Sequence, residues 1–290
     1  MNFNKFRISW INSREEYDFL ARSNLLCKYF KKYKKNHIKI IDLGCGTGSF
    51  LRWCYHANIN FNEMLLVDHD KKLLNHFFSI TKKFLNKYDY KVLKKTSTNF
   101  SIITKDVIKK NDIKLKNLDI LMTLPIINQY NLISLSAISD ILPKKFIIDL
   151  FSSIESKKMI YFSICFNGKI KWNIINKYDK YIISKFNNHQ QSLKDNVYAM
   201  GAKSIKLIKN LSKIKKFNLL HENSSWFVDS KKDNDRLFQK QYLKTIYNAL
   251  KNDKETNYDI LSNWHQFRVK NIDLKKSHLT VGHEDILIIT

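Results

Sequence analysis

Residues 41–50 read IDLGCGTGSF, and Gly44, Gly46 and Gly48 in that stretch are three of the six glycines in a 290-residue chain. Glycine costs backbone entropy and brings no side chain, so a cluster of it marks a tight turn or a close approach of main chain to ligand. The run leading in, HIKIIDLG over 37–44, is β-branched and apolar, as in a strand buried on both faces. The run leading out, SFLRWCYHAN over 49–58, suits a helix. A strand, a glycine turn and a helix expose backbone N–H groups to a nucleotide-like ligand, because no side chain blocks its approach.

The same alternation extends outward. EMLLVD (63–68) reads as a second buried strand and 70–88 as an amphipathic helix with Leu73, Leu74, Phe77, Phe84 and Leu85 inward. FSIITKDV (100–107) reads as a third strand ending in Asp106, followed to Gln129 by a loop and a helix that Pro125 interrupts. YNLISLSA (130–137) and KKMIYFSICF (157–166) flank a helix over 139–154, and further helices and strands follow to LTVGHEDILIIT (279–290). At the start, 13–35 carries apolar residues at helical spacing after a capping serine. Regular alternation predicts an α/β fold: a doubly wound, mostly parallel seven-stranded sheet with helices on both faces. The economical division is one domain over 1–290, with an N-terminal helical segment (1–36) and a ligand-binding core (37–166). Residues 167–201 and 229–278 exceed what short connections need, so they read as helical cap insertions on the substrate side.

Composition narrows the class of protein. With 44% hydrophobic and 13% aromatic residues the chain can pack a core. It has no long uncharged apolar run and no apolar stretch of signal-peptide type at its start, so the expectation is a cytoplasmic protein without a membrane span. The four cysteines form no CxxC pair, and no metal site is expected. A net charge of +25 suggests a polyanionic partner such as RNA, but 45 of the 51 basic residues are lysine. Groups that grip phosphates bidentately are more often arginine, and the lysines are spread rather than blocked, so the charge also fits compositional drift.

The glycine pattern separates two ligand classes. A dinucleotide fingerprint, G-x-G-x-x-G, would require glycine at 49, where Ser49 stands. The pattern present is D-x-G-x-G-x-G over Asp42, Gly44, Gly46 and Gly48. With VDHD placing Asp68 at the end of the second strand, it resembles the first motifs of the class I, Rossmann-like S-adenosylmethionine-dependent methyltransferases. The resemblance covers 37–166 motif by motif and the remainder in element order. It implies S-adenosyl-L-methionine as cofactor, held by Asp42, Gly44, Cys45, Gly46 and Gly48. It gives Asp68, beside His69, the ribose hydroxyls and Asp106 the adenine edge. Ser136 lies on the segment after the fourth strand that opens into the active site, where Asn131 replaces the family's usual acid. The resemblance also implies an antiparallel last strand. Cys45 reads as a small side chain against the sheet, with no need of a catalytic role.

The acceptor is left open by these residues. After the fourth strand SLSAISD (134–140) lacks the proline motif of methyltransferases acting on exocyclic amines. FNNHQQSLKDN (186–196) groups His189, Gln190, Gln191 and Asp195, with His189 the natural general base near neutral pH, although an exposed polar loop explains the same residues. Trp10, Arg14 and Arg22 are placed to close over a pocket, and His283 precedes the last strand; Trp10, Arg14, Gln190 and His283 are the candidate substrate contacts. WINSREEYDFLARS, NHQQ and GHED together resemble a bacterial branch of the family. Insertions able to form a lid favour a methyltransferase acting on O, N or S of a small molecule; the alternatives are an RNA methyltransferase, suggested by the charge, and a non-catalytic S-adenosylmethionine-binding protein.

Overall fold

The computed structural model describes residues 8–32, 37–106, 109–194 and 197–290. Asp195, named above beside His189, lies outside the described residues. The chain opens with α1 (Ile8–Ala21) and α2 (Asn24–Lys32), then β1 (Lys39–Leu43), α3 (Ser49–His56), β2 (Glu63–Asp68) and α4 (Lys71–Leu85). An antiparallel pair, β3 (Tyr90–Lys94) and β4 (Asn99–Thr104), precedes β5 (Lys110–Asn117); two 3-10 turns, Ile120–Met122 and Leu124–Gln129, lead into β6 (Leu132–Ser136). There follow α5 (Lys144–Ser153), β7 (Met159–Trp172), α6 (Asp179–Gln190), the small β8 (Leu193–Lys194) and β9 (Val197–Tyr198), and α7 (Lys203–Ile214). The chain ends with β10 (Asn218–Asn223), β11 (Trp226–Asp229), α8 (Asp233–Leu250), α9 (Tyr258–Asp273) and β12 (His278–Ile289).

One sheet runs β10-β12-β7-β6-β1-β2-β5-β4-β3, with β11 beside β12. Strands β5, β2, β1, β6 and β7 are parallel, and β12 is inserted antiparallel between β7 and β10, as the resemblance implied. Alternate residues of the central strands serve opposite faces. Ile40 joins a core with Phe50, Leu51, Leu74 and Phe77 from α3 and α4, while Ile41 and Leu43 join one with Phe146, Leu150 and Ile208 from α5 and α7. Helices on both faces explain why β1 is almost continuously apolar.

Two expectations are corrected. The leading helix is two helices, broken at Arg22–Ser23, because the buried Asp285 carboxylate accepts the Ser23 N–H at 3.0 Å. The third parallel strand is β5, not residues 100–107: the β4 segment pairs antiparallel with β5, and β5 pairs parallel with β2. Asp68 lies opposite Asn117 at the carboxyl end of that pair. Asp106 sits in the turn before β5, at the end where the parallel strands begin, so the topology removes it from the ligand-binding edge.

The two insertions pack on each other. Ile182 and Phe186 of α6, Leu243 and Ile246 of α8 and Trp264 of α9 bury a core against Ile170 and Trp172, where β7 runs past the rest of the sheet. Trp264 donates to Asp179 at 2.8 Å, and the buried Arg268 guanidinium ion-pairs with Asp179 and donates to the Ile174 carbonyl at 2.7 Å. α1 docks on this body through Tyr17, whose ring lies 4.1 Å from that of Phe238, and through Trp10, 5.7 Å from the same ring. No described helix is long and apolar enough to cross a membrane.

Asp285 joins the layers. Beside Ser23 it accepts from Tyr161 Oη at 2.5 Å and from the Ile164 N–H at 2.7 Å. Ile164 has φ 53°, a left-handed conformation costly for a β-branched residue, where the β7–β12 register slips. Asp285→Ala leaves three buried donors without an acceptor, and each such loss costs about 1–3 kcal/mol. We expect urea unfolding to show Asp285→Ala destabilised by at least about 3 kcal/mol, and Tyr161→Phe, which removes one donor together with its need, by clearly less.

Candidate active site

A cavity opens beyond the carboxyl ends of β1, β2 and β6, where the chain winds away in opposite directions from β1. That is the switch point at which open α/β sheets bind ligands. The turn after β1 forms one wall. Gly44 and Cys45 both donate to the Val67 carbonyl, at 2.8 and 3.0 Å, which ties the turn to β2.

The three glycines have positive φ, 72° at Gly44, 56° at Gly46 and 87° at Gly48, but they differ in surroundings. A Cβ on Gly44 would lie 2.9 Å from Ile138 Cδ1, and one on Gly48 2.8 Å from Phe77 Cδ2. A Cβ on Gly46 would meet only Ile11 Cδ1, at 3.8 Å. Gly44 and Gly48 are thus needed for packing as well as conformation, and Gly46 leaves open space over the backbone.

Arg52, fully buried on α3, holds the turn from behind. Its guanidinium engages both oxygens of Glu15 at 2.6 and 2.8 Å, the Thr47 carbonyl at 2.5 Å and the Thr81 hydroxyl at 3.1 Å. One side chain thereby fixes the glycine turn to α1 and α4.

Of the aspartates that line the cavity, Asp68 and Asp42 are in different states. Asp68 receives a backbone N–H on each oxygen, from Gly46 and from Asp70, both at 2.8 Å. Burial raises its pKa and these two donors oppose the rise. Asp42 is 1% exposed, and no described donor makes a well-formed hydrogen bond to either carboxylate oxygen, although the Ser134 hydroxyl, opposite it on β6, is close enough to act on it. Burial pushes its pKa up to about 7, with neighbouring Ser134 and Arg22 pulling down and Asp68 pushing up. A buried carboxylate without a donor is costly unless a ligand or a proton completes it.

The residues singled out from the sequence divide cleanly. Arg14, Asp42, Gly44, Cys45, Gly46, Asp68, His69 and Ser136 line the one cavity, and Gly48 caps α3 just behind it. The Cys45 thiol is buried and its pKa raised well above the ordinary range, chiefly by desolvation, which removes it as a nucleophile. Trp10, His189, Gln190 and His283 do not line the cavity. Trp10 stacks on α8; His189 and Gln190 end α6. His283 is buried against Trp226, ring centroids 4.4 Å apart, and desolvation pushes its pKa down to about 3. Arg22 passes beneath the cavity, with its guanidinium bonded to Ser136 and packed 5.0 Å from the Trp53 ring. Sequence reading missed Ile11, Asp18, Leu73, Ile120, Ile138 and Leu142 in the lining. The acid that follows the true third strand is Asp119, whose carboxylate caps the next turn through the Leu121 N–H at 3.0 Å.

No protein-family model matches this chain, and no curated protein matches it in sequence. Among solved structures, a methyltransferase from Thiobacillus denitrificans, in complex with S-adenosyl-L-homocysteine, aligns over 98% of this chain and 99% of its own with 9% identity and a TM-score of 0.46. A putative sarcosine dimethylglycine methyltransferase from Galdieria sulphuraria aligns over 94% and 84% with 11% identity and a TM-score of 0.41. The [4+2]-cyclase SpnF aligns over 94% and 81% with 11% identity and a TM-score of 0.42. Likeness at this level concerns the course of the chain and not its chemistry. The parallel strands flanking β1 and the antiparallel β12 make the fold the Rossmann-like one of the class I methyltransferases.

Two outcomes follow from the local geometry. Gly48→Ala adds a contact too close for Phe77 to a left-handed backbone and is expected to cost about 1–3 kcal/mol by urea unfolding. Gly46→Ala, which has room, is expected to cost about 1–2 kcal/mol. Asp42 retains a proton in the folded chain that the unfolded chain releases, so its contribution to stability falls as pH rises from near its ordinary value to about 7. Replacing it with asparagine should flatten unfolding free energy against pH across that window; an unchanged slope contradicts the assignment.

Proposed function

We propose that the protein is an S-adenosylmethionine-dependent methyltransferase acting on a small molecule. The observation that carries this reading is Asp42: a buried carboxylate with no well-formed hydrogen bond from the described residues, the Ser134 hydroxyl being its neighbour on β6, lining the same cavity as Gly46 and Asp68. A ligand with an ammonium group completes it, and the amino acid end of S-adenosylmethionine has one. Asp68 keeps lone pairs beyond its two backbone bonds for ribose hydroxyls, and Leu73 and Ile120, also in the lining, offer apolar surface for a flat base. Gly46 lets the ligand lie against the main chain. The cofactor brings its own electrophile, a methyl on a sulfonium.

The chain's residues then bind, orient and exclude water. Orientation alone is worth up to about 7–11 kcal/mol in model reactions, so a strong covalent nucleophile is unnecessary. His283 does not suit a base, since it is buried and held neutral, and His189 lies outside the cavity lining. A small acceptor is favoured over RNA because α1 contributes Ile11, Arg14 and Asp18 to the lining and thereby roofs it. The +25 charge is the argument for RNA. One domain in the cytoplasm is the simplest setting for such an enzyme.

Asp68→Ala is expected to weaken S-adenosylhomocysteine binding ~10- to 150-fold in calorimetric titration, the equivalent of charged hydrogen bonds worth about 1.5–3 kcal/mol. Incubation with methyl-labelled S-adenosylmethionine and cell extract should place label in the small-molecule fraction. Label confined to RNA would replace the acceptor class, and failure to bind cofactor would remove the reading.

A further inference from the structure

Arg14 is the one guanidinium or ammonium group among the described residues lining the cavity, in a chain with 51 lysines and arginines. Its placement is built from several elements. Nε donates to Asp18 one helical turn later, at 2.9 Å, and Asp18 is 3% exposed. The other Asp18 oxygen accepts from Trp226 Nε1 of β11 at 3.0 Å, and the Arg14 guanidinium lies 5.6 Å from the centroid of the Trp226 ring. Asp18 thus has both oxygens engaged and fixes the plane of the guanidinium by Nε alone. Nη1 and Nη2 have no hydrogen-bond partner among the described residues, and they are the fork that recognises a carboxylate or phosphate bidentately.

Position points the same way. Asp68, His69, Asp70 and Leu73 lie at the β2 end of the cavity. β11, which carries Trp226, pairs with β12, and β12 borders β7 on the other side of β1. A ligand whose ribose end is held at Asp68 leaves the Arg14 end for another group. Beside Ser136 and the engaged Asp18, the lining on that side is apolar, with Ala137, Ile138, Ile141 and Leu142.

We propose that Arg14 is an anion-recognition residue of the cavity, taking the carboxylate or phosphate of a ligand whose remainder is apolar. The assignment deepens the methyltransferase reading and rests on it for the identity of the neighbouring ligand. Arginine with free Nη groups, fixed by a buried acid against an indole ring, is an arrangement for binding rather than for holding the fold together.

The test uses hexanoate, inorganic phosphate and uncharged hexan-1-ol as probes, titrated into the protein with and without S-adenosylhomocysteine. Hexanoate should bind wild type at least about tenfold more tightly than hexan-1-ol, and Arg14→Gln should abolish that difference while Arg14→Lys retains part of it. Hexanoate bound to protein saturated with S-adenosylhomocysteine assigns the anion to the acceptor. Hexanoate displaced by S-adenosylhomocysteine puts the anion at the cofactor's own carboxylate and overturns the proposal of an apolar ligand. Thermal unfolding of each variant separates lost binding from lost fold, and the comparison of hexanoate with hexan-1-ol on wild type needs no variant. Equal binding of the two, or hexanoate binding unchanged in folded Arg14→Gln, overturns the proposal. Failure of S-adenosylhomocysteine to bind, with hexanoate still selected by Arg14, would instead overturn the methyltransferase reading alone.

Discussion

The cavity depends on one buried ion pair. Arg52 has no exposed side chain, so its charge requires compensation inside the protein, and Glu15 on α1 supplies it. The remaining donors of Arg52 reach Thr47 in the glycine turn and Thr81 on α4. A single guanidinium thereby sets the turn in register with the helix that roofs the cavity and with a helix on one face of the sheet. Loss of Glu15 would leave a buried cation and remove the tie between α1 and the glycine turn.

Function divides along the sheet on either side of β1. Toward β2 the lining holds Asp68 and Leu73, polar and apolar together. At β1 lies Asp42, with no well-formed hydrogen bond from the described residues. Toward β6 and β7 lie Ser136, the apolar residues that follow it, and Arg14 from above. Two left-handed non-glycine residues, Ala137 with φ 55° and Ile164 with φ 53°, lie on that last side. Asp285 bonds the Ile164 N–H directly, so a network outside the lining maintains the strained strand end.

Much of this was legible because it depends on local pattern. The strand–glycine–helix unit and the apolar second strand ending in Asp68 follow from residue types in order, and both lead to the cavity wall. What failed depended on partners distant in sequence. FSII over 100–103 is more strand-like than KNDIKLKN over 110–117, so the wrong one was read as parallel and Asp106 was placed at the wrong end of the sheet. The alternation of buried Asn111, Ile113 and Leu115 with exposed lysines was the signal available for β5. The break between α1 and α2 has no proline or glycine to announce it; it is imposed by Asp285, 262 residues from Ser23. His283 reads from sequence as a candidate substrate contact, and only the Trp226 packing shows it to be interior.

The central claim is that a cavity built on the glycine turn holds S-adenosylmethionine with its ammonium at Asp42 and its ribose at Asp68. Crystallisation with S-adenosylhomocysteine tests it most directly. The account predicts ligand beyond β1, with its amino nitrogen within hydrogen-bond distance of the Asp42 carboxylate, its ribose hydroxyls on Asp68 and its backbone contact over Gly46. Ligand bound elsewhere, or Asp42 still without a donor when the ligand is present, would contradict it.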